Sequence, residues 1–217
     1  MLFRHCKFWA GVVLAAIGIA SIKKVNHPSQ ILFAAIPLIF CVQQVTEGFL
    51  WLGFAKPDYA SLQQFTTNTF LFIAQVVWPL CVPLSILLLE KNKKRIMGLK
   101  LLVAAGAVVS IYLGYCLLTY PVNAKIIGYH ISYGQVYPVR PAGLIGMLYI
   151  IATIAPAFFS GIKRMWYLGV AILISYIMTK IFYTDYIVSV WCFFASVISI
   201  VVLAIMYKMT RPVLRLV

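Results

Sequence analysis

Apolar stretches of about twenty residues recur seven times along this chain, separated by short polar breaks, and they restrict its architecture more than any other feature. Hydrocarbon offers no water to the backbone, so every N–H and C=O must be satisfied inside the protein. Stretches of this length suit helices crossing a bilayer at 1.5 Å per residue, whereas barrel strands need only ~10 residues. The stretches fall at about 8–22, 31–54, 67–89, 97–118, 142–160, 165–183 and 186–207. The expectation is an all-α polytopic integral membrane protein, a single bundle of about seven transmembrane helices occupying 1–217 as one domain. The sequence is 64% hydrophobic and 10% charged, against about 25% charged in soluble domains.

The charges set an orientation. Lys23, Lys24, Lys91, Lys93, Lys94, Arg95, Lys100, Lys163, Arg164, Lys208, Arg211 and Arg215 would lie on one side, twelve in all, and Arg4, Lys7, Lys56, Lys125, Arg140 and Lys180 on the other, six in all. Basic residues accumulate on the cytoplasmic side, which puts the C-terminus in the cytoplasm and the N-terminus outside. The first stretch begins soon after Met1, and its small residues at 15–20 loosely permit signal cleavage. The heavier positive charge follows it, so it reads as a retained first helix. The net charge of +14 is then a topology device that also touches anionic lipid headgroups, not a nucleic-acid footprint. No basic run is interleaved with aromatics in the manner of strand binding. The expected location is a prokaryotic inner membrane, with lipids as partners and no nucleic acid.

Pro79 and Pro83 interrupt the third stretch and should kink it, because each removes a backbone donor. The longest connection, 119–141, contains an alternating segment in which Tyr129, Ile131 and Tyr133 oppose His130 and Ser132. That alternation predicts a short extended segment or hairpin turning at Gly134, placed as a lid over one end of the bundle. No internal repeat is visible.

Against this background the segment 37–51 is anomalous. It places Gln43, Gln44, Thr46 and Glu47 inside an otherwise apolar helix. At 100° per residue, Phe40, Gln43, Gln44, Glu47 and Trp51 share roughly a 100° arc. Glu47 would lie ~10 Å below the outer end of its helix. An ionised carboxylate facing lipid costs several kcal/mol, so this face should look into the bundle, toward a partner or a water-filled cavity. Asn68, Gln75 and Pro79 share a face of the third stretch; Tyr176, Thr179, Lys180 and Tyr183 stand near the outer end of the sixth, with Asp185 in the turn. The seventh presents Ser189, Cys192 and Ser196 beside Trp191, while His130 and Arg140 belong to the outer connection.

Each group also has a structural reading. Gln43, Gln44 and Gln75 suit interhelical hydrogen bonding equally well, and Glu47 suits an ion pair with Lys180 or a protonated acid bonded to a glutamine. Trp51, Trp191, Tyr176 and Tyr183 suit an interfacial aromatic belt better than a ligand cage. His5, His27 and His130 are too scattered for the three protein ligands of a catalytic metal, so no metal site is expected. A Ser or Cys nucleophile with His130 as base is permitted but has no supporting motif. Cys41, Cys81 and Cys116 lie deep in apolar stretches, and only Cys6 and Cys192 fall near one membrane face, where a disulfide is possible.

Phe33-Ala34-Ala35-Ile36-Pro37-Leu38-Ile39-Phe40, continuing through Gln43-Gln44 to Glu47-Gly48 and Trp51, resembles the hallmark of a family of uncharacterised prokaryotic multi-pass membrane proteins classified as a domain of unknown function. His130-Ile131 with Tyr133, and Trp191-Cys192-Phe193-Phe194-Ala195, are similar to its later motifs, and the resemblance covers essentially the whole chain. Family members commonly begin Met-Cys-Phe-Ser; this chain begins Met1-Leu2-Phe3-Arg4. The resemblance implies a seven-helix fold and a site grouping the glutamine–glutamate helix, the histidine loop and the Trp-Cys helix. It implies no activity and no cofactor.

The expectation taken into the structure is an outward-facing polar pocket around Glu47 that binds a small molecule or lipid headgroup, in a sensor, carrier or accessory role. Its residues would be Glu47, Gln43, Gln44, Trp51, Gln75, His130, Tyr133, Lys180, Trp191 and Cys192. A membrane-embedded enzyme acting on a lipid, with Glu47 or His130 in acid–base work, and a proton-coupled carrier are the alternatives.

Overall fold

A computed structural model of the chain describes residues 2–135, 137–138, 142–183 and 186–210, with the backbone alone at 2–6, 142, 193, 195 and 196. Arg140 and Asp185, and the side chains of Cys6 and Ser196, therefore lie outside the described residues.

The chain is mostly helical. The elements are α1 (Leu2–Ile22), α2 (Ile31–Ala34), α3 (Ile36–Ala55), α4 (Gln63–Phe72), α5 (Trp78–Leu89), α6 (Lys93–Thr119), α7 (Ala142–Phe159), α8 (Met165–Phe182) and α9 (Ile187–Thr210), with strands β1 (Val122–Ile127) and β2 (His130–Gln135) between α6 and α7. α2 runs on into α3, and α4 into α5, so the described residues form seven rods at the seven expected apolar stretches. Five helical stretches, Pro28–Ala55, Pro57–Leu89, Lys93–Thr119, Met165–Phe182 and Ile187–Thr210, are long and apolar enough to cross a membrane. The described parts of α1 and α7 are apolar but shorter. Large apolar side chains stand outward, as on α6, where Ile111 is 73% and Leu118 90% exposed. Contiguous apolar surface of this kind belongs against lipid, which makes the chain a multi-pass membrane protein.

The third rod is held differently from a simple proline kink. Between α4 and α5 the helix widens into a π-turn, Ile73–Val77, and the Trp78 N–H bonds back to the Ile73 carbonyl. The next residue, Pro79, has no N–H, so the Ala74 carbonyl loses its backbone partner. The Tyr149 hydroxyl of α7 takes it at 2.6 Å, and the Ser110 hydroxyl of α6 takes the Val76 carbonyl at 2.7 Å. Two neighbouring helices thus satisfy what the proline and the π-turn release. Gly106 of α6 packs against the Pro79 carbonyl so closely that a Cβ at 106 would overlap its oxygen.

The connection after α6 is an antiparallel hairpin, but its turn is Gly128-Tyr129, with Ile127 paired to His130. Gly134 sits inside β2 opposite Asn123 instead of at the turn. The reason is local: Gly128 has a positive φ of 60°, the conformation required at the first central position of a tight two-residue hairpin turn. Ile131 is fully buried, and Tyr133 stacks on Phe70 of α4 at 4.9 Å and 10°. The hairpin is thereby seated on the end of the bundle formed by α4 and the start of α9.

Candidate functional site

Three helices meet at Glu47. The side chain is fully buried on α3; Lys7 Nζ of α1 lies 2.7 Å from Oε2, and the Ser189 hydroxyl of α9 donates to Oε1 at 2.5 Å. Glu47 stands eight residues before the end of α3, ~12 Å along its axis. The observed cation is Lys7, where the sequence suggested Lys180; Lys180 is on the exposed face at the end of α8. Hydropathy alone starts the first apolar stretch at 8 and makes Lys7 a flanking charge. The helix begins at Leu2, so Lys7 is carried more than a turn inside it.

One turn deeper, Gln43 bridges two helices. Its amide donates to Cys192 Sγ at 3.1 Å, and its oxygen accepts from Trp78 Nε1 at 2.9 Å. Gln44 donates to the Cys192 carbonyl at 3.2 Å. Cys192 is a free thiol. Burying these amides without partners would cost several kcal/mol, and the bonds made tie α3 to α5 and α9. Trp51, one turn beyond Glu47, is half-buried, and its indole N–H has no hydrogen-bond partner among the described residues.

The hairpin closes the cluster. His130 packs between the rings of Tyr183 and Tyr186, at 5.2 and 5.0 Å. Burial lowers its pKa from the ordinary imidazole value, the Lys7 charge lowers it further, and Glu47 pulls the other way. Burial pushes the Tyr133 phenol well above its usual value, and the Glu47 carboxylate adds to this. The hairpin thus carries two groups whose ionisation responds to the charges of Lys7 and Glu47.

A cavity of about 260 Å³ lies beside this cluster, with Gln75, Tyr112, Tyr137, Tyr149, Tyr176, Trp191 and Cys192 among its lining. A smaller one, about 60 Å³, lies along Phe40, Trp78 and Ile198 and shares Tyr149, Trp191 and Cys192 with it. Of the expected site residues, Gln75, Trp191 and Cys192 line the larger cavity, whereas Glu47 lines neither. Gln75 sits in the π-turn; its amide donates to Gln135 Oε1 at 2.8 Å and to the Tyr137 hydroxyl at 2.9 Å. Tyr137 completes the triangle by donating to Gln135 at 2.7 Å, and burial pushes its phenol up to about 12. The Gln75 oxygen and the Tyr112 hydroxyl are buried without partners among the described residues. Trp191 meets Tyr149 and Tyr176 edge to face at 5.7 and 5.3 Å.

Ser189, Gln135, Tyr137 and Tyr149 complete the arrangement. Ser189 shares a helix face with Cys192, which is the signal sequence offers for it. Tyr137 and Tyr149 are ordinary aromatics until the π-turn gives them a carbonyl and an amide to bind. Among the described residues no group of three His, Cys, Asp or Glu side chains is placed to hold a metal ion.

The chain belongs to the family of unknown function DUF6629, whose model matches residues 5–215. No curated protein and no solved structure matches it.

Proposed function

We propose that the protein is a membrane-embedded binding protein whose ligand, a small and mostly apolar molecule with at least one hydrogen-bond donor, occupies the cavity beside the Glu47 cluster. The role would be that of a sensor, carrier or accessory protein in a prokaryotic inner membrane. The observation that carries this reading is Gln75. Its nitrogen is committed to Gln135 and Tyr137, its oxygen has no partner among the described residues, and it lines a cavity walled by aromatic rings. A buried polar atom left unpaired costs about 1–3 kcal/mol, which a ligand donor would recover. The volume of about 260 Å³ falls just below the ~300–1,000 Å³ of drug-sized sites, which favours a small ligand. Glu47 would act from behind the wall, holding α1, α3 and α9 in register. With the C-terminus in the cytoplasm, as the basic loops favour, the cavity would open toward the outside.

The test is to extract small molecules that co-purify with the protein and identify them by mass spectrometry. Gly146 lines the cavity and has open space around a built Cβ, so Gly146→Leu should project into the cavity, narrow it and deplete the co-purifying species. Equal recovery from the two proteins would sink the assignment.

The second reading, a proton-coupled carrier, is favoured by the burial of the Lys7–Glu47 pair. Any motion that withdrew Lys7 would leave the carboxylate without its counter-charge in a dry site. Uptake into vesicles that showed no dependence on pH, or that survived Glu47→Gln unchanged, would remove this reading.

A further inference from the structure

At the other end of α8 and α9 lies a second, chemically different depression. It measures about 470 Å³ and is lined by Arg164, Tyr167, Ile200, Val201, Ala204, Ile205 and Lys208. Ile200, Val201, Ala204 and Ile205 fall on one face of α9, at helical spacings of one, four and five. They give the groove an apolar floor in a helix long enough to span the membrane. Arg164 and Lys208 supply two cations where that floor ends, and both are exposed.

We infer that this groove holds one anionic phospholipid, its phosphate bound between Arg164 and Lys208 and an acyl chain laid along the α9 floor. Charge complementarity chooses the occupant. Among the described residues neither cation has a hydrogen bond or ion pair to a protein group. The acid at this end, Glu90, is engaged by Lys91 N, Asn92 N, Gly161 N and the Ser160 hydroxyl. A zwitterionic lipid would bring a third cation to a site already carrying two, whereas an anionic headgroup matches it.

Arg164 is also set in place before any lipid arrives. It adopts the left-handed conformation, φ 74° and ψ 0°, at the start of α8. The preceding turn is pinned from the far side, by Glu90 on Gly161 N and the Ser160 hydroxyl, and by Arg95 on the Phe159 and Ser160 carbonyls at 3.0 and 2.6 Å. A turn fixed in this way lowers the ordering cost of a bound headgroup.

The experiment uses the full chain in mild detergent. Native mass spectrometry would count retained phosphatidylglycerol against phosphatidylcholine, with inorganic phosphate as the headgroup-only probe. One phosphatidylglycerol should be retained in preference to phosphatidylcholine, and phosphate alone should not compete. Arg164→Gln with Lys208→Gln should weaken retention about 25-fold, each cation at a membrane surface being worth about five-fold. Ala204→Phe, which fills the floor and leaves both charges, should also reduce retention. Lys163→Gln, beside the groove but not lining it, is the control for surface charge and for folding. Undiminished retention in the double variant, equal retention of the two lipids, or an equal loss from Lys163→Gln would each overturn the site.

Discussion

Lys7 Nζ lies 2.7 Å from Glu47 Oε2, with the lysine side chain 11% exposed and the glutamate fully buried. Two charges removed from water together are tolerable; one alone is not. Lys7→Met or Glu47→Gln alone should therefore destabilise the protein, Lys7→Met the more severely, by about 3–5 kcal/mol, because it leaves a bare carboxylate. The double variant should be less destabilised than the sum of the two. Thermal unfolding of all four proteins in one detergent completes the cycle, and strictly additive losses would mean that the pair does not hold α1 to α3.

The carbonyl that the π-turn releases makes a second prediction. Tyr149→Phe keeps the ring against Trp191 but removes the donor to the Ala74 carbonyl. The orphaned carbonyl should cost about 1–3 kcal/mol. Hydrogen exchange should rise in 73–78 and not in α1, whereas a uniform rise would mean that the hydroxyl contributes only to general packing.

Gly106→Ala probes the same rod from α6. The added methyl would overlap the Pro79 carbonyl oxygen, which is backbone and cannot swing aside. Separating α5 from α6 should cost about 1–3 kcal/mol, the usual range for overpacking. A melting temperature unchanged from wild type would show that the two helices are not held this closely.

What the sequence made legible follows from periodicity and polarity. Seven long apolar stretches became seven helical rods, and the shared arc of Gln43, Gln44 and Glu47 is one buried face because helical spacing is geometric. What stayed hidden depended on partners distant in the chain. Lys7 and Glu47 are forty residues apart, and nothing local marks their meeting. The π-turn is a response of Ile73–Val77 to Pro79, read from sequence only as a kink, and its placement of Gln75 beside Tyr137 was beyond spacing arguments. The hairpin expected to turn at Gly134 turns at Gly128, because a two-residue loop needs a positive φ at that place.

Glu90 fastens the 90–92 turn to the 160–161 turn at the basic end of the bundle. Burial works against its ionisation, but the donors from Gly161, Asn92, Ser160 and Lys91 prevail and hold its pKa below the usual carboxylate value. A depressed carboxylate stabilises fully above its unfolded value of 4.5 and loses that contribution as pH falls through the folded value. Glu90→Gln should cost about 1–2 kcal/mol at neutral pH and almost nothing under strongly acidic conditions. A constant difference between the two melting curves at every pH would show that the carboxylate charge is not what fastens the turns.

His130 titrates in a separate, higher window. Its pKa is depressed by burial first and by Lys7 second, with Glu47 opposing. Between its unfolded value of 6.5 and the lower folded value, the unfolded chain binds more protons than the folded one. Stability should therefore be complete above 6.5 and decline as pH falls below it, well before Glu90 begins to protonate. His130→Phe keeps an aromatic ring between Tyr183 and Tyr186 and removes the proton site. Melting temperatures followed from about pH 8 to about pH 5 should fall for the wild type and stay flatter for the variant. Parallel curves would mean that His130 is solvated like a free imidazole and that the hairpin does not press it toward Lys7.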